Sequence, residues 1–348
     1  MMPSLATALA LACSALALAA DMPVSFPSHR TASGFANPWP SRPRGFGTFL
    51  KWRLGLGPDE SAPFPAESTE TFAPRVAAPD LKAIAKPDAG KIQITWVGHS
   101  TVLLQMAGMN ILTDPVFGDR ASPVGFAGPA RLSPPGLPMD AMPAIDLVLV
   151  SHDHYDHLDK TTIRRLAGEP KYLVPLGLRT WFDGQGIASA DELDWWQGAA
   201  VGPLEVWCVP ARHFSGRNPF RQDRTLWCGW IIRGGGRTVY FAGDTGFSPH
   251  FMEIRRRFGP MDVSFLPIGA YRPRWFMEPM HLDPPQAVQA HAILGSGRSI
   301  PIHWGTFRQS REPMAEPPLY LRSSMVAAGL DPGCFSALDF GQTISIDL

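Results

Sequence analysis

Three histidines and two aspartates lie between His152 and Leu158, inside Ser-His-Asp-His-Tyr-Asp-His-Leu-Asp at 151–159. They directly follow the apolar run Leu147-Val148-Leu149-Val150, which reads as a buried strand. The chain then leaves into a loop and enters a helix near Thr161, with Asp159 as its N-cap. In an extended exit His152 and His154 point to one side, because side chains alternate. After the turn, Asp156 and His157 face a second point a short distance away. Such a layout suits two metal ions. Imidazole and carboxylate donors without thiolate favour zinc, with iron or manganese as alternatives, in an open catalytic site. Clustered charge at a buried strand end is costly unless something binds it.

Three more residues complete the set. His213 follows an expected strand in Val209-Pro-Ala-Arg-His-Phe-Ser215, and His303 follows another in Ile300-Pro-Ile-His-Trp-Gly305. Asp244 sits in Phe241-Ala-Gly-Asp-Thr-Gly246, where flanking glycines allow close backbone approach. With His152, His154, Asp156 and His157 they make seven candidate ligands, which one bridging aspartate and three ligands per metal would use up. Arg212, Arg217 and Arg221 lie near His213 and could meet a phosphate or be solvated loop charges.

The elements that would position these residues begin at Lys91. Alternation predicts a strand over 92–97, then short strands at 101–105 and 110–113. A Gly/Pro-rich loop over 118–144 leads to a strand at 145–150 and a helix near 161–167. Further strands are expected at 171–175, 204–209, 226–233, 237–242, 262–266 and 299–302, with helices near 249–258 and 284–294. Strands in series with intervening helices predict a layered α/β domain.

The 348 residues are 45% hydrophobic and 18% charged, enough to build a large buried core. Formal net charge is zero, so nothing points to nucleic acid. The four cysteines form no CxxC pair, which argues against a zinc ribbon, and Cys208 and Cys228 read as buried thiols. Residues 1–20 contain an Ala/Leu-rich run like a secretory leader, and Cys13 sits in a faintly lipoprotein-like context. Export or membrane association is expected, a helical terminus of a cytoplasmic protein being the alternative. Residues 21–90 form a Pro-rich arm, and 91–348 the domain that carries the candidate ligands. Basic and aromatic residues interleave over 37–53 (Trp39, Arg42, Arg44, Lys51, Trp52, Arg53). They suit either an anionic membrane surface or packing on the core.

HxHxDH, His213, Gly-Asp-Thr-Gly and His303 together resemble the metallo-β-lactamase superfamily over about residues 91–345. Narrower stretches are similar to the N-acyl-phosphatidylethanolamine-hydrolysing phospholipase D family: Asn37-Pro-Trp-Pro40, Trp96-Val-Gly-His-Ser-Thr101, Thr113-Asp-Pro-Val-Phe117, Leu226-Trp-Cys-Gly-Trp230, Met280-His-Leu-Asp-Pro284 and Ile302-His-Trp-Gly-Thr-Phe307. The resemblance implies an αββα sandwich with two zinc ions at its edge. His152, His154 and His213 would hold one ion, Asp156, His157 and His303 the other, and Asp244 would bridge. His281 would lie beside the site and contact a phosphate or leaving group, or else simply precede a helix. Met280 departs from the polar residue the family places there. Asp114 and His99 would orient ligand imidazoles.

Two such ions hold a hydroxide at neutral pH, able to attack phosphorus or a carbonyl carbon without a side-chain nucleophile. The resemblance implies a phospholipid phosphodiester as the substrate. A lactone or other small ester is the alternative within the same fold. A non-catalytic binding protein is opposed by seven filled ligand positions.

Overall fold

The computed structural model describes residues 28–39, 46–58, 75–88, 90–166, 169–217 and 221–347. The leader expected at 1–20, with Cys13, lies outside them, as do Arg42 and Arg44 of the basic arm. Strands run in the order β1 (Arg30–Thr31), β2 (Gly34–Phe35), β3 (Lys91–Gly98), β4 (Thr101–Met106), β5 (Met109–Thr113), β6 (Leu147–Leu149), β7 (Lys171–Pro175) and β8 (Ala190–Leu193). They continue with β9 (Gly198–Val201), β10 (Leu204–Val209), β11 (Gly229–Gly234), β12 (Arg237–Phe241), β13 (Val263–Pro267), β14 (Arg298–Ile302) and β15 (Thr343–Asp347).

Two mixed sheets face each other. One has the order β15-β3-β4-β5-β6-β7-β8 and the other β14-β13-β12-β11-β10-β9. Alternation sorts side chains between layers. Ile92, Ile94 and Trp96 of β3 enter the core shared with Val206 and Cys208 of β10, Trp230 and Ile232 of β11 and Phe241 of β12. The opposite face of the first sheet, with Leu103, Leu112, Val148 and Val174, is covered by Ile84, Ile163 and Phe182. These come from the helices Leu81–Ala85, Lys160–Arg165 and Arg179–Asp183. The outer face of the second sheet takes Phe251, Ile254, Ala287, Val288, Leu321 and Met325, from the helices His250–Phe258, Pro284–Leu294 and Glu316–Ala327. The result is the four-layer αββα sandwich that the family resemblance implies. Pro301 is tolerated in β14 because that strand forms the sheet edge.

Strand directions gather the chemistry. β3 and β5 both run antiparallel to β4, and β5 runs parallel to β6. Their C-terminal ends therefore share one sheet edge. The same logic aligns β10 and β12 through β11, with β13 and β14 parallel to β12. Tryptophans fasten the two sheets at this end. Trp230 donates its indole N–H to the Val150 carbonyl at 3.1 Å, and Trp195, just beyond β8, to that of Trp227 at 2.7 Å. Cys208 and Cys228 are buried free thiols, as expected.

The arm packs on this frame. Trp39 stacks on Trp195 and Trp52 on Phe276, at ring separations of 6.0 and 5.0 Å. The Asp194 carboxylate accepts from His29 and Arg30 at 2.7 and 2.5 Å. Those two tryptophans thus follow the core-packing expectation, while Leu50, Leu54 and Leu56 stay exposed. No helix of the described residues is long and apolar enough to cross a membrane.

Candidate metal centre

Every one of the seven candidate ligands lies just beyond a strand's C-terminal end, and the sandwich brings all seven together. His152, His154, Asp156 and His157 follow β6, His213 follows β10, Asp244 follows β12 and His303 follows β14. Asp159 caps the helix Lys160–Arg165 by accepting from the Thr161 amide, as the sequence predicts. The tight turn before that helix lets Asp156 and His157 face a second point nearby, with the His157 ring centre 4.2 Å from that of His152.

Two knots of donor atoms form. In one, His154 Nδ1 lies 2.8 Å from His152 Nε2 and 3.3 Å from His213 Nε2. In the other, Asp156 Oδ2 lies 3.1 Å from His157 Nε2 and 3.4 Å from His303 Nε2. Asp244 Oδ2 stands between them, 3.0 Å from His303, 3.3 Å from His157 and 3.6 Å from His213. Each knot is a group of side chains able to hold a metal ion.

The tautomers are set from behind. Ser151 Oγ has one proton and donates it to Asp114 Oδ2 at 2.6 Å, so it accepts from His152 Nδ1 at 2.9 Å. His157 Nδ1 donates to the same carboxylate at 2.7 Å, and His213 Nδ1 to the Met280 carbonyl at 3.0 Å. In all three rings the Nε2 lone pair is therefore left facing the knot. Asp114 orients imidazoles, as expected of it. His99 does not: its Nε2 bonds the Asp156 carboxylate at 2.9 Å instead.

The electrostatics divide along the same line. Burial pushes His152 and His213 well below the usual imidazole range. Burial also acts on His157 and His303, but there the carboxylates outweigh it. Asp244, Asp156 and Asp114 hold His157 well up, and Asp244 with Asp156 raises His303 to about 9. Burial opposes ionisation of Asp156 and Asp244, yet the facing imidazoles keep both well below the ordinary carboxylate range. His157 Nε2, His303 Nε2 and Asp244 Oδ1 are buried without a hydrogen-bond partner. Buried polar atoms are seldom left so. Divalent cations would satisfy these donors, and the donor set fits zinc, iron or manganese.

Strained backbone holds the site. His99, Asp114 and His303 take positive φ values of 53°, 34° and 60°. Each such non-glycine residue costs about 1–3 kcal/mol, which the surrounding packing sustains. Gly243, before Asp244, has φ +58°, and a Cβ there would lie 2.6 Å from that of Ser151. Gly243→Ala should therefore push Asp244 and Ser151 apart and destabilise the chain by about 1–3 kcal/mol. Urea unfolding with metal assay of the folded variant checks both effects.

Other expectations fare differently. His281 joins the site, its buried Nδ1 3.9 Å from Asp244 Oδ2, while Asp283 caps the helix that follows. Arg212 and Arg217 do not present themselves to a phosphate. The buried Arg212 donates to the Phe247 carbonyl. Arg217 bonds the Asp153 and Leu158 carbonyls and lies over the Tyr155 ring, bracing the ligand loop. Arg221 is exposed. Two residues without an assigned role in the sequence reading also touch the site. Gln309 donates to Asp156 Oδ2 at 2.6 Å, and Asn37 donates to the His213 carbonyl at 2.7 Å. Asn37 carried a signal, its Asn-Pro-Trp-Pro motif; Gln309 carried none.

A four-layer sandwich with clustered imidazoles and carboxylates where both sheets end defines a metal-dependent hydrolase. The chain belongs to the metallo-β-lactamase superfamily, whose beta-lactamase superfamily domain model matches residues 109–304. It is 47% identical over 257 residues to an uncharacterized protein of Mycobacterium tuberculosis, covering 70% of this chain and 68% of that one. It is 40% identical over 263 residues to N-acyl-phosphatidylethanolamine-hydrolyzing phospholipase D 1 of Caenorhabditis elegans, covering 71% of this chain and 74% of the relative. The solved structure of Igni18, a metallo hydrolase of Ignicoccus hospitalis, shares the fold at a TM-score of 0.58 and 23% identity, over 74% of this chain and 99% of that one.

Proposed function

We propose that this hydrolase is a phosphodiesterase of the phospholipase D type that works with two zinc ions on N-acyl-phosphatidylethanolamine-type lipids. The observation that supports this best is the 40% identity over 263 residues to the C. elegans phospholipase. His152, His154 and His213 would hold one ion, Asp156, His157 and His303 the other, and Asp244 would face both. Bound there, the ions supply an ionised water at neutral pH and electrophilic stabilisation of phosphoryl charge.

The chain's own residues do the rest. Asp114 and Ser151 keep the Nε2 lone pairs of His157 and His152 aimed inward. Asp156, held by His99 and Gln309, is fixed in one rotamer. Asp244 keeps His303 and His157 in register. Burial lowers His281 to about 3, so its ring is neutral at working pH. It then serves as a hydrogen-bond partner for a phosphoryl or leaving oxygen, not as a fixed charge. From the segment 37–53, the exposed Leu50, Lys51 and Arg53 would lie against the bilayer that carries the substrate.

The test is metal content of the purified chain alongside phosphatidic acid release from N-acyl-phosphatidylethanolamine vesicles, with and without chelator. About two zinc ions per chain and chelator-sensitive release are expected. Two ions with no release would transfer the site to another ester. Release that survives complete metal removal would end the metal-dependent reading.

A further inference from the structure

Resting on the lipid reading above, we propose that the hairpin 119–131 is a membrane-docking element that inserts Phe126 into a phospholipid bilayer beside the metal centre. Phe126 is 84% exposed, the most exposed large hydrophobic side chain among the described residues. The loop that carries it is built to hold it out. Ala121 N–H donates to the Pro129 carbonyl at 3.0 Å and Arg131 N–H to that of Asp119 at 2.8 Å. Across the tip, the Arg120 guanidinium donates to the carbonyls of Gly125 and Gly128 at 2.8 and 2.7 Å. Gly128 has φ +91°, and a Cβ there would strike Ser122 at 2.7 Å, so the turn closes tightly. An aromatic ring on a braced tip loses little freedom when it enters a bilayer.

The neighbourhood is apolar and basic together. Single exposed hydrophobics are ordinary, but grouped ones mark an interaction surface. Among the described residues, six of the ten exposed large hydrophobics lie on two segments: Val124, Phe126 and Leu132 on one, Leu50, Leu54 and Leu56 on the other. Both segments attach to the loop that follows His303. Leu132 N–H donates to the Thr306 carbonyl at 2.8 Å, and the Arg131 guanidinium lies 4.9 Å from the Phe307 ring centre. From the far end of that loop, Arg311 donates to the Trp52 carbonyl at 2.8 Å. Gln309, between them, touches Asp156. Among the described residues of these two segments and of the loop, Lys51, Arg53, Arg308 and Arg311 are exposed cations and Asp119 the exposed acid. Apolar tips flanked by cations suit a lipid surface, where rings bury among acyl chains and cations meet phosphates.

The experiment is cosedimentation of the full, metal-loaded chain with vesicles of mixed phosphatidylethanolamine and phosphatidylglycerol. Phe126→Ser should weaken vesicle binding about tenfold or more. Its metal content and its hydrolysis of soluble bis(p-nitrophenyl) phosphate should match the wild type. Phe126→Trp should retain binding. Wild-type vesicle affinity in Phe126→Ser overturns the proposal. So does sedimentation velocity showing that Phe126→Ser dissociates an oligomer while vesicle binding persists, since a second copy would then be the occupant. If vesicle binding depends on Phe126 but wild-type protein releases no phosphatidic acid, the docking surface stands and the substrate reading falls.

Discussion

Asp244→Asn is expected to remove activity and metal together. One oxygen of Asp244 lies within 3.6 Å of ring nitrogens of His157, His213 and His303, which belong to both knots. Replacing the carboxylate with an amide removes a negative charge where two cations would sit. It also leaves the amide with a donor group that would face imidazole lone pairs if turned inward. The charge that keeps His157 and His303 high is lost as well. Residues that merely orient a ligand typically cost 10–100-fold when changed. Asp244 faces histidines of both knots and would hold both ions, so the loss should exceed about a hundredfold. Elemental analysis with turnover on a soluble phosphodiester checks this. A variant that keeps its metals and its rate would remove Asp244 from the centre.

The same carboxylate shows how far residue order carries. Gly-Asp-Thr-Gly and the histidine segment were legible because their meaning is local: a strand ends, a turn follows, and metal-competent side chains crowd its exit. The core strands were legible for a similar reason, since runs such as Ile92 to Val97 alternate or stay apolar. Other elements gave no such rhythm. β9 is Gly-Ala-Ala-Val at a sheet edge, with too little apolar bulk to read as a strand. The helix Glu316–Ala327 starts with Pro317 and Pro318 and carries no clear apolar stripe, although proline at a first turn is permissible. Gln309 and Asn37 reach their partners across 153 and 176 residues. Nothing local signals such contacts. The arginines failed for the opposite reason: Arg212 and Arg217 lie beside a ligand in sequence, but Arg212 is held by the Phe247 carbonyl and Glu278, and Arg217 by the Asp153 and Leu158 carbonyls.

Raising the pH should act on the metal-free and metal-loaded chain in opposite directions, an effect of the same size as losing a ligand. In the metal-free protein His303 titrates at about 9 and His157 is also raised. A folded pKa above the unfolded value of 6.5 gives stability that is complete below 6.5. That contribution is lost as pH climbs through about 9. His152 and His213 are depressed by burial, so their protonation in the unfolded chain removes stability as pH falls below 6.5. The metal-free chain should therefore be most stable near pH 6.5 and lose melting temperature on either side. Metal binding reverses the alkaline limb, because cations take the lone pairs that protons occupy on His157 and His303. Expelling about two protons makes apparent affinity rise about a hundredfold per pH unit in that range. Melting temperatures of both forms between pH 6.5 and 9, with proton release measured by calorimetry in two buffers, check the signs. Parallel curves for the two forms would mean that His157 and His303 give up no protons to metal, and would overturn the raised titration of both.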